Sequence, residues 1–171
     1  MNKELLQHPF DPIVNSGTKV LILGSFPSIK SFENNFYYAH PRNQFWPIIS
    51  SIFNISLPDN SAKQNFALQK GFGLWDTYGA LSRASGNSSD TNLKDLQVND
   101  FEQFLQQYPN IIHIFFTGKK AEEGYHKYFS HLKVKTTRLP STSPAYAAMK
   151  RDEKERHYYV IKEILAKDLS V

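Results

Sequence analysis

Residues 19–46 read KVLILGSFPSIKSFENNFYYAHPRNQFW. The stretch opens on four consecutive apolar residues, Val20, Leu21, Ile22 and Leu23, with no polar alternation. A strand of that kind is apolar on both faces, as in a parallel sheet covered by helices on each side. The run breaks at Gly24-Ser25-Phe26-Pro27-Ser28, crosses a loop dense in aromatics with one helical turn expected near residues 31–34, and reaches Pro41-Arg42-Asn43. A helix is expected from there with Asn43 as N-cap, because Phe45, Ile48, Ile49, Ile52 and Phe53 recur at helical spacing. Pro47 is tolerated in its first turn, where amides lack intrahelical partners.

Residues 1–18 read as an N-terminal arm, since Pro9, Pro12, Asn15 and Gly17 discourage regular structure. Downstream, a helix capped by Ser61 is expected to run to Lys70 and end at Gly71. Residues 72–76 read as a second strand, 77–83 as a short helical turn, and 84–91 (ASGNSSDT) as a polar, mobile loop. Asn99, followed three residues later by Glu102, has the arrangement of a helix cap before Phe101, Phe104, Leu105 and Tyr108. Residues 111–116 and 134–139 read as further strands, separated by a helix through Phe129. Residues 149–169 read as a long helix with Val160, Ile161, Ile164 and Leu165 on its core side. Strands alternating with helices give an α/β fold with a mainly parallel sheet in a single domain. Three strands end in loops near Gly24, Gly118 and Pro140, and ligands of open α/β sheets gather outside such strand ends.

The 171 residues are enough for one domain with a sizeable core. No apolar run approaches the roughly 18 residues of a membrane span, and the start lacks the apolar core of a signal peptide. Cysteine is absent, which removes disulfides, a thiol nucleophile and thiolate metal sites from consideration. A cytoplasmic protein without membrane association fits these features. The formal charge of +4 permits nucleic-acid binding without demanding it. The 13 Phe, 9 Tyr and 2 Trp exceed what a core needs, and aromatics beside polar loops suit flat ligands such as bases.

Familiar enzyme signatures are missing. No G-x-S-x-G, Walker A or post-strand G-x-G-x-x-G occurs, and the six histidines show no metal-ligand spacing. His113 reads as a hydrogen-bonded core residue, and His40, among aromatics, as a site candidate. Asn43 is an ordinary N-cap on one reading. On another, it follows an aromatic loop and sits beside Arg42, whose charge suits an anionic ligand, so its amide serves a base edge or a water. Pro140-Ser141-Thr142-Ser143-Pro144 is either a plain loop or a stiff hydroxyl-rich turn for phosphates. Lys119 and Lys120 open a helix after a strand, where positive charge and helix dipole both favour anions, or else they form a solvated face.

Taken together, Gly24-Ser25-Phe26-Pro27-Ser28, the string FYYAHPRNQFW (36–46), GFGLWD (71–76), Thr117-Gly118-Lys119 and LPSTSPA (139–145) resemble the hypoxanthine (deoxyinosine) branch of the uracil-DNA glycosylase superfamily. The resemblance spans roughly residues 18–165. It implies a three-layer α/β/α sandwich around a short, mainly parallel sheet. It also implies monofunctional, cofactor-free hydrolysis of the N-glycosidic bond of a deaminated base in double-stranded DNA, by a monomer. The water-activating acid or amide usual in the first motif is replaced by Phe26 and Pro27. The resemblance therefore implies that catalysis falls to Asn43. Leu139 stands where uracil-specific relatives have a catalytic His, and no Leu wedge follows Pro144.

On this scheme Asn43 positions water or meets the base edge. Gly24, Ser25, Phe26, Pro27 and His40 line the base pocket, and Tyr38 or Phe45 stacks on the base. Arg42, Lys119, Ser141, Thr142, Ser143 and Pro144 meet the DNA backbone, with no metal ligand among them. Hypoxanthine is the expected base and uracil in G:U mismatches a second. The competing readings are a non-catalytic nucleic-acid- or nucleotide-binding domain of the same fold, and a small-molecule α/β enzyme.

Overall fold

Alternate residues of the first apolar run serve two different cores. Val20 and Ile22 pack with Phe45, Ile48, Phe66, Phe72, Tyr158 and Ile161. Leu21 and Leu23 pack with Phe101, Phe104, Ile114, Phe116 and Tyr125. All four side chains of the run are fully buried. That two-sided burial is why no polar residue interrupts the run. Truncating any of the four to alanine would cost about 2–5 kcal/mol.

The structure, a computed structural model, describes residues 5–83 and 93–167. Its strands are β1 (Leu6–Gln7), β2 (Val20–Gly24), β3 (Phe72–Asp76), β4 (Tyr78–Arg83), β5 (Leu93–Val98), β6 (His113–Thr117) and β7 (Lys135–Leu139). The helices are α1 (Ile29–Asn34), α2 (Phe45–Phe53), α3 (Asn60–Lys70), α4 (Phe101–Gln107), α5 (Lys119–Phe129) and α6 (Arg151–Lys167). A parallel sheet runs in the order β3-β2-β6-β7. Helices α2, α3 and α6 contribute to the core on one face, and α4 and α5 to the core on the other. This is the expected three-layer α/β/α arrangement. At its edge, β7 carries Lys135 and Arg138, both exposed.

A second, antiparallel sheet in the order β1-β4-β5 changes two expectations. The N-terminal arm is not irregular throughout: β1 pairs with β4, and Ile13 exchanges two backbone hydrogen bonds with Leu74 on the edge strand β3, each 2.9 Å. Residues 78–83 are a strand rather than a helical turn, drawn extended by partners on both sides. This sheet carries a small cluster of Phe26, Tyr78 and Leu81. The polar loop at 84–91 and the end of the expected last helix, beyond Lys167, lie outside the described residues.

Caps shift by one or two positions. Asp59, not Ser61, caps α3 by accepting from the Ala62 amide, and Gly71 ends that helix in the left-handed conformation as expected. Asp100, one residue after Asn99, caps α4 through the Gln103 amide. Asn43 lies one residue before the N-cap position of α2, which is Gln44, yet its Oδ1 still accepts from the first-turn amide of Phe45 at 2.9 Å.

Candidate active site

The chain leaves β2, β3, β6 and β7 at the same end of the parallel sheet, and the following loops enclose a cavity of about 600 Å³. That volume falls in the roughly 300–1,000 Å³ range of small-ligand sites. Gly24, Ser25, Phe26 and Pro27 form one wall, Tyr38, His40 and Asn43 a second, and Ser141, Thr142, Ser143 and Pro144 a third. The loops at Gly24 and Pro140 thus meet as anticipated. The loop at Gly118 contributes Thr117 to the wall.

The aromatic loop is held rigid by side chains within it. Ser28 accepts from the Ser31 amide and caps α1, and Ser31 Oγ in turn accepts from the Ala39 amide at 3.1 Å. Trp46 Nε1 donates to the Tyr37 carbonyl at 2.9 Å, and the Tyr37 hydroxyl donates to the Asp11 carbonyl at 3.0 Å. Tyr38 adopts a left-handed backbone with φ 56°. Its ring stacks on Phe45 at 4.1 Å, and its hydroxyl lies 3.2 Å from Thr117 Oγ1. Burial, with the nearby Asp76 carboxylate, raises the Tyr38 pKa far above its ordinary range and keeps the phenol neutral. Such bracing is what holds a reacting group still.

Asn43 is half-buried at the cavity wall. Its backbone N–H donates to the His40 carbonyl at 2.9 Å, and its Oδ1 accepts from the Phe45 backbone N–H. One Oδ1 lone pair and both Nδ2 hydrogens remain for a ligand or water. On the same cavity, Ser141 Oγ accepts from the Ser143 amide at 3.2 Å, and Ser143 Oγ from the Ala145 amide at 3.2 Å. Each hydroxyl therefore keeps its proton for an external acceptor. Gly118 has φ +113°, and a Cβ there would sit 3.4 Å from Ser141 Cβ, so only glycine lets β6 turn this close to the Ser/Thr loop.

Several expected contacts move. Phe45 is fully buried behind Tyr38 and outside the cavity wall, so it supports the stacking surface rather than supplying it. Thr142 is 1% exposed, and its carbonyl accepts from the Gln44 amide at 3.0 Å, which makes it a tie between loops. Arg42 and Lys119 are exposed and stand off the cavity wall; Lys119 Nζ lies 3.7 Å from Glu123.

With this geometry, the matching family model is the uracil DNA glycosylase superfamily, over residues 12–165. The chain belongs to that superfamily. A hypoxanthine DNA glycosylase of Methanosarcina barkeri is 38% identical over 116 residues, 67% of this chain and 72% of the relative. One from Methanosarcina acetivorans is 32% identical over 143 residues, 82% of this chain and 89% of the relative. A solution NMR structure from Methanosarcina acetivorans, described as a candidate uracil DNA glycosylase, superposes with a TM-score of 0.81 at 29% identity. It covers 95% of this chain and 99% of the other.

In this member of the uracil DNA glycosylase superfamily, the one charged wall residue among the several that escaped the reading of the sequence is Asp76. Asp76, at the end of β3, is 4% exposed and, among the described residues, is the sole carboxylate lining the cavity. Its Oδ2 lies 2.7 Å from His8 Nε2. The signal that could have found it is its position: it ends a parallel strand, where such folds place ligands. Gly24 lets it approach, because a Cβ there would lie 2.7 Å from Asp76 Oδ1 and 3.2 Å from the Tyr38 hydroxyl. Among the described residues no cluster of three or more His, Asp or Glu could hold a metal ion, and no helix is long and apolar enough to cross a membrane.

Proposed function

We propose that this chain is a monofunctional DNA glycosylase that removes hypoxanthine from double-stranded DNA, with uracil opposite guanine as a second substrate. The observation that carries the reading is the placement of Asn43 and the Ser141 and Ser143 hydroxyls on the wall of one cavity. It stands in a chain 38% and 32% identical to two proteins named hypoxanthine DNA glycosylase. The enzyme acts as a monomer in the cytoplasm, on DNA whose damaged nucleotide swings out of the stack.

Extrusion costs a few kcal/mol, least for a mispaired base such as hypoxanthine. The flipped base enters between the Gly24–Pro27 backbone and Tyr38, while Ser141 and Ser143 donate to the phosphate beside the lesion. Breaking the C1′–N9 bond leaves its electron pair on the base and builds oxocarbenium character on the sugar. The water held by Asn43 then bonds C1′ through its oxygen and loses a proton to solvent, while the departing base anion takes one up and leaves as the neutral base. Asn is a weak base, so its contribution is position rather than proton abstraction, and the flanking phosphates stabilise the cation. Among the described residues no lysine lines the cavity, which supports hydrolysis over a Schiff-base lyase.

A duplex oligonucleotide carrying one deoxyinosine tests the proposal. Abasic sites should accumulate with the wild-type chain and fail to appear with Asn43→Ala, while circular dichroism of that variant stays native. Tight binding without base release from hypoxanthine, uracil or xanthine duplexes would overturn it.

A further inference from the structure

A second hollow lies at the other end of the parallel sheet, away from the cavity. It is a groove of about 460 Å³ between the last turns of α6 and the starts of β6 and β7. Its apolar lining is Ile112, Val160 and Ile164, and its charges are Lys135, Glu163 and Lys167. The sequence of β7 explains why the space is open. Lys135, Thr137 and Leu139 alternate onto the α6 face of the sheet, and only Leu139, at the far end, joins the core that α6 covers. Val160 and Ile164 are therefore left half-buried at the start of the strand, and Ile112 is 51% exposed. His113 completes the lining. Its ring stacks on Phe115 at 4.4 Å, and its Nε2 lies 2.8 Å from Thr137 Oγ1. Burial, and then the Lys135 charge, lower its pKa, so at neutral pH it adds an uncharged ring to the groove.

Charge at this end of the sheet is almost all of one sign. The segments entering the four strands, residues 15–19, 70–71, 110–112 and 130–134, contain Lys19, Lys70 and Lys133 and no Asp or Glu. Among the described residues Glu163 is the sole acid on the groove. At the opposite end, cations stand beside acids: Lys119 lies 3.7 Å from Glu123, and Arg138 3.6 Å from Glu122. Neighbouring strands are about 4.8 Å apart, so the lysines spread over about 14 Å.

We propose that this groove docks an acidic segment of a partner protein, seating its aliphatic side chains on Ile112, Val160 and Ile164 and its carboxylates on Lys135 and Lys167. The apolar lining sets the occupant apart from DNA, whose phosphates gain nothing from isoleucine and valine. The spread of the lysines exceeds the reach of a small ligand. A second copy of this chain would set lysine against lysine. An apolar groove with a charged surround is the usual receptor for a short segment of opposite charge. The partner would hold the protein from behind and leave the cavity loops free for DNA. The inference goes beyond the glycosylase reading and holds whichever base the cavity takes.

The test is a nuclear magnetic resonance titration of the isotope-labelled full chain at physiological salt. The probe is a blocked peptide of about eight residues, leucines flanked by aspartates. Amide shifts at Ile112, His113, Lys135 and Ile164 should saturate with a dissociation constant on the order of 100 μM. Serine in place of aspartate should weaken binding at least about tenfold. Ile112→Ser and the double variant Lys135→Glu/Lys167→Glu should each do the same, with melting and base release unchanged. The double variant should instead bind the peptide flanked by lysines.

Absence of saturable shifts at about 1 mM peptide overturns the inference. So do shifts confined to Asn43 and Ser141, which would make the peptide a mimic of DNA at the cavity, or equal binding of the serine peptide. A duplex oligonucleotide that moves the groove amides in place of the peptide would make the groove a DNA contact and overturn it too. If the double variant does not fold, Ile112→Ser with wild-type peptide affinity suffices to overturn it. A chain that releases no base yet binds the peptide in the groove sinks the glycosylase reading and supports this inference.

Discussion

Lys154 Nζ donates to Gln44 Oε1 at 2.8 Å, joining the last helix to the mouth of α2 across 110 residues of chain. The same ammonium donates to the Tyr146 carbonyl at 2.9 Å, and the side chain is 1% exposed. Gln44 is in turn bound through its backbone to Thr142. One buried cation thus fixes the wall bearing Asn43 relative to the wall bearing Ser141 and Ser143. Burial lowers its pKa, yet its two hydrogen bonds are what the two walls share.

Lys154→Met should keep the apolar stem and leave Gln44 Oε1 and the Tyr146 carbonyl without their donor. Unpaired buried acceptors cost on the order of 1–3 kcal/mol, read as a lower midpoint in urea. Base release should fall with it, because the two walls lose their common anchor.

Asn43→Ala separates chemistry from stability. Loss of the Oδ1 contact to the Phe45 amide removes a cap worth about 1 kcal/mol. Release of hypoxanthine should fall by at least about a hundredfold, well beyond what that stability change explains. Single-turnover rates beside thermal melting curves make the comparison.

Gly24→Ala probes the crowding around Asp76. The new methyl would lie 2.7 Å from Asp76 Oδ1 and must displace it or the Tyr38 hydroxyl. Base release should drop while the urea midpoint changes little, since the displaced groups face a cavity. A variant as active as wild type would mean that the carboxylate can move without consequence.

Arg42→Ala and Lys119→Ala should act through charge alone. Each side chain is exposed and off the cavity wall. Each loss should weaken DNA binding regardless of sequence and reduce the slope of log affinity against log salt by about one if that residue meets a phosphate. Release rates at saturating enzyme should hold.

Alkali should unfold the chain. Burial pushes the Tyr125 pKa from 10.0 up to about 12, and burial raises Tyr37, Tyr38 and Tyr158 further. Folded values above the unfolded value mean that stability is complete below pH 10 and is lost as pH rises from 10 through 12 and beyond. Ellipticity should fall together with the part of the tyrosinate absorbance that belongs to Tyr37, Tyr38, Tyr125 and Tyr158, in one cooperative step rather than as separate titrations.

The sheet was legible because Val20, Leu21, Ile22 and Leu23 state their two-sided burial in four letters. Residues 78–83, YGALSR, carry no such local mark. Their extended form comes from β1 and β5, partners that lie elsewhere in the chain. The site divides in the same way. Gly24, Asn43 and the Ser/Thr loop stand out through turn chemistry and motif. His8 and Asp76 are 68 residues apart and meet only once the arm has folded back along β3. The strand-end rule, applied to β3 as it was to its neighbours, would have pointed to Asp76, but nothing local points to His8.

The two ends of the parallel sheet are guarded differently. On β3 the backbone of Ile13 already occupies the hydrogen-bonding positions that another chain could claim. β7 instead exposes charged side chains along the strand, Lys135 and Arg138, the latter 3.6 Å from Glu122. A second molecule adding there would have to strip water from those charged side chains. A protein that must hold four parallel strands open at one end for DNA thereby keeps those strands from templating aggregation with its own copies.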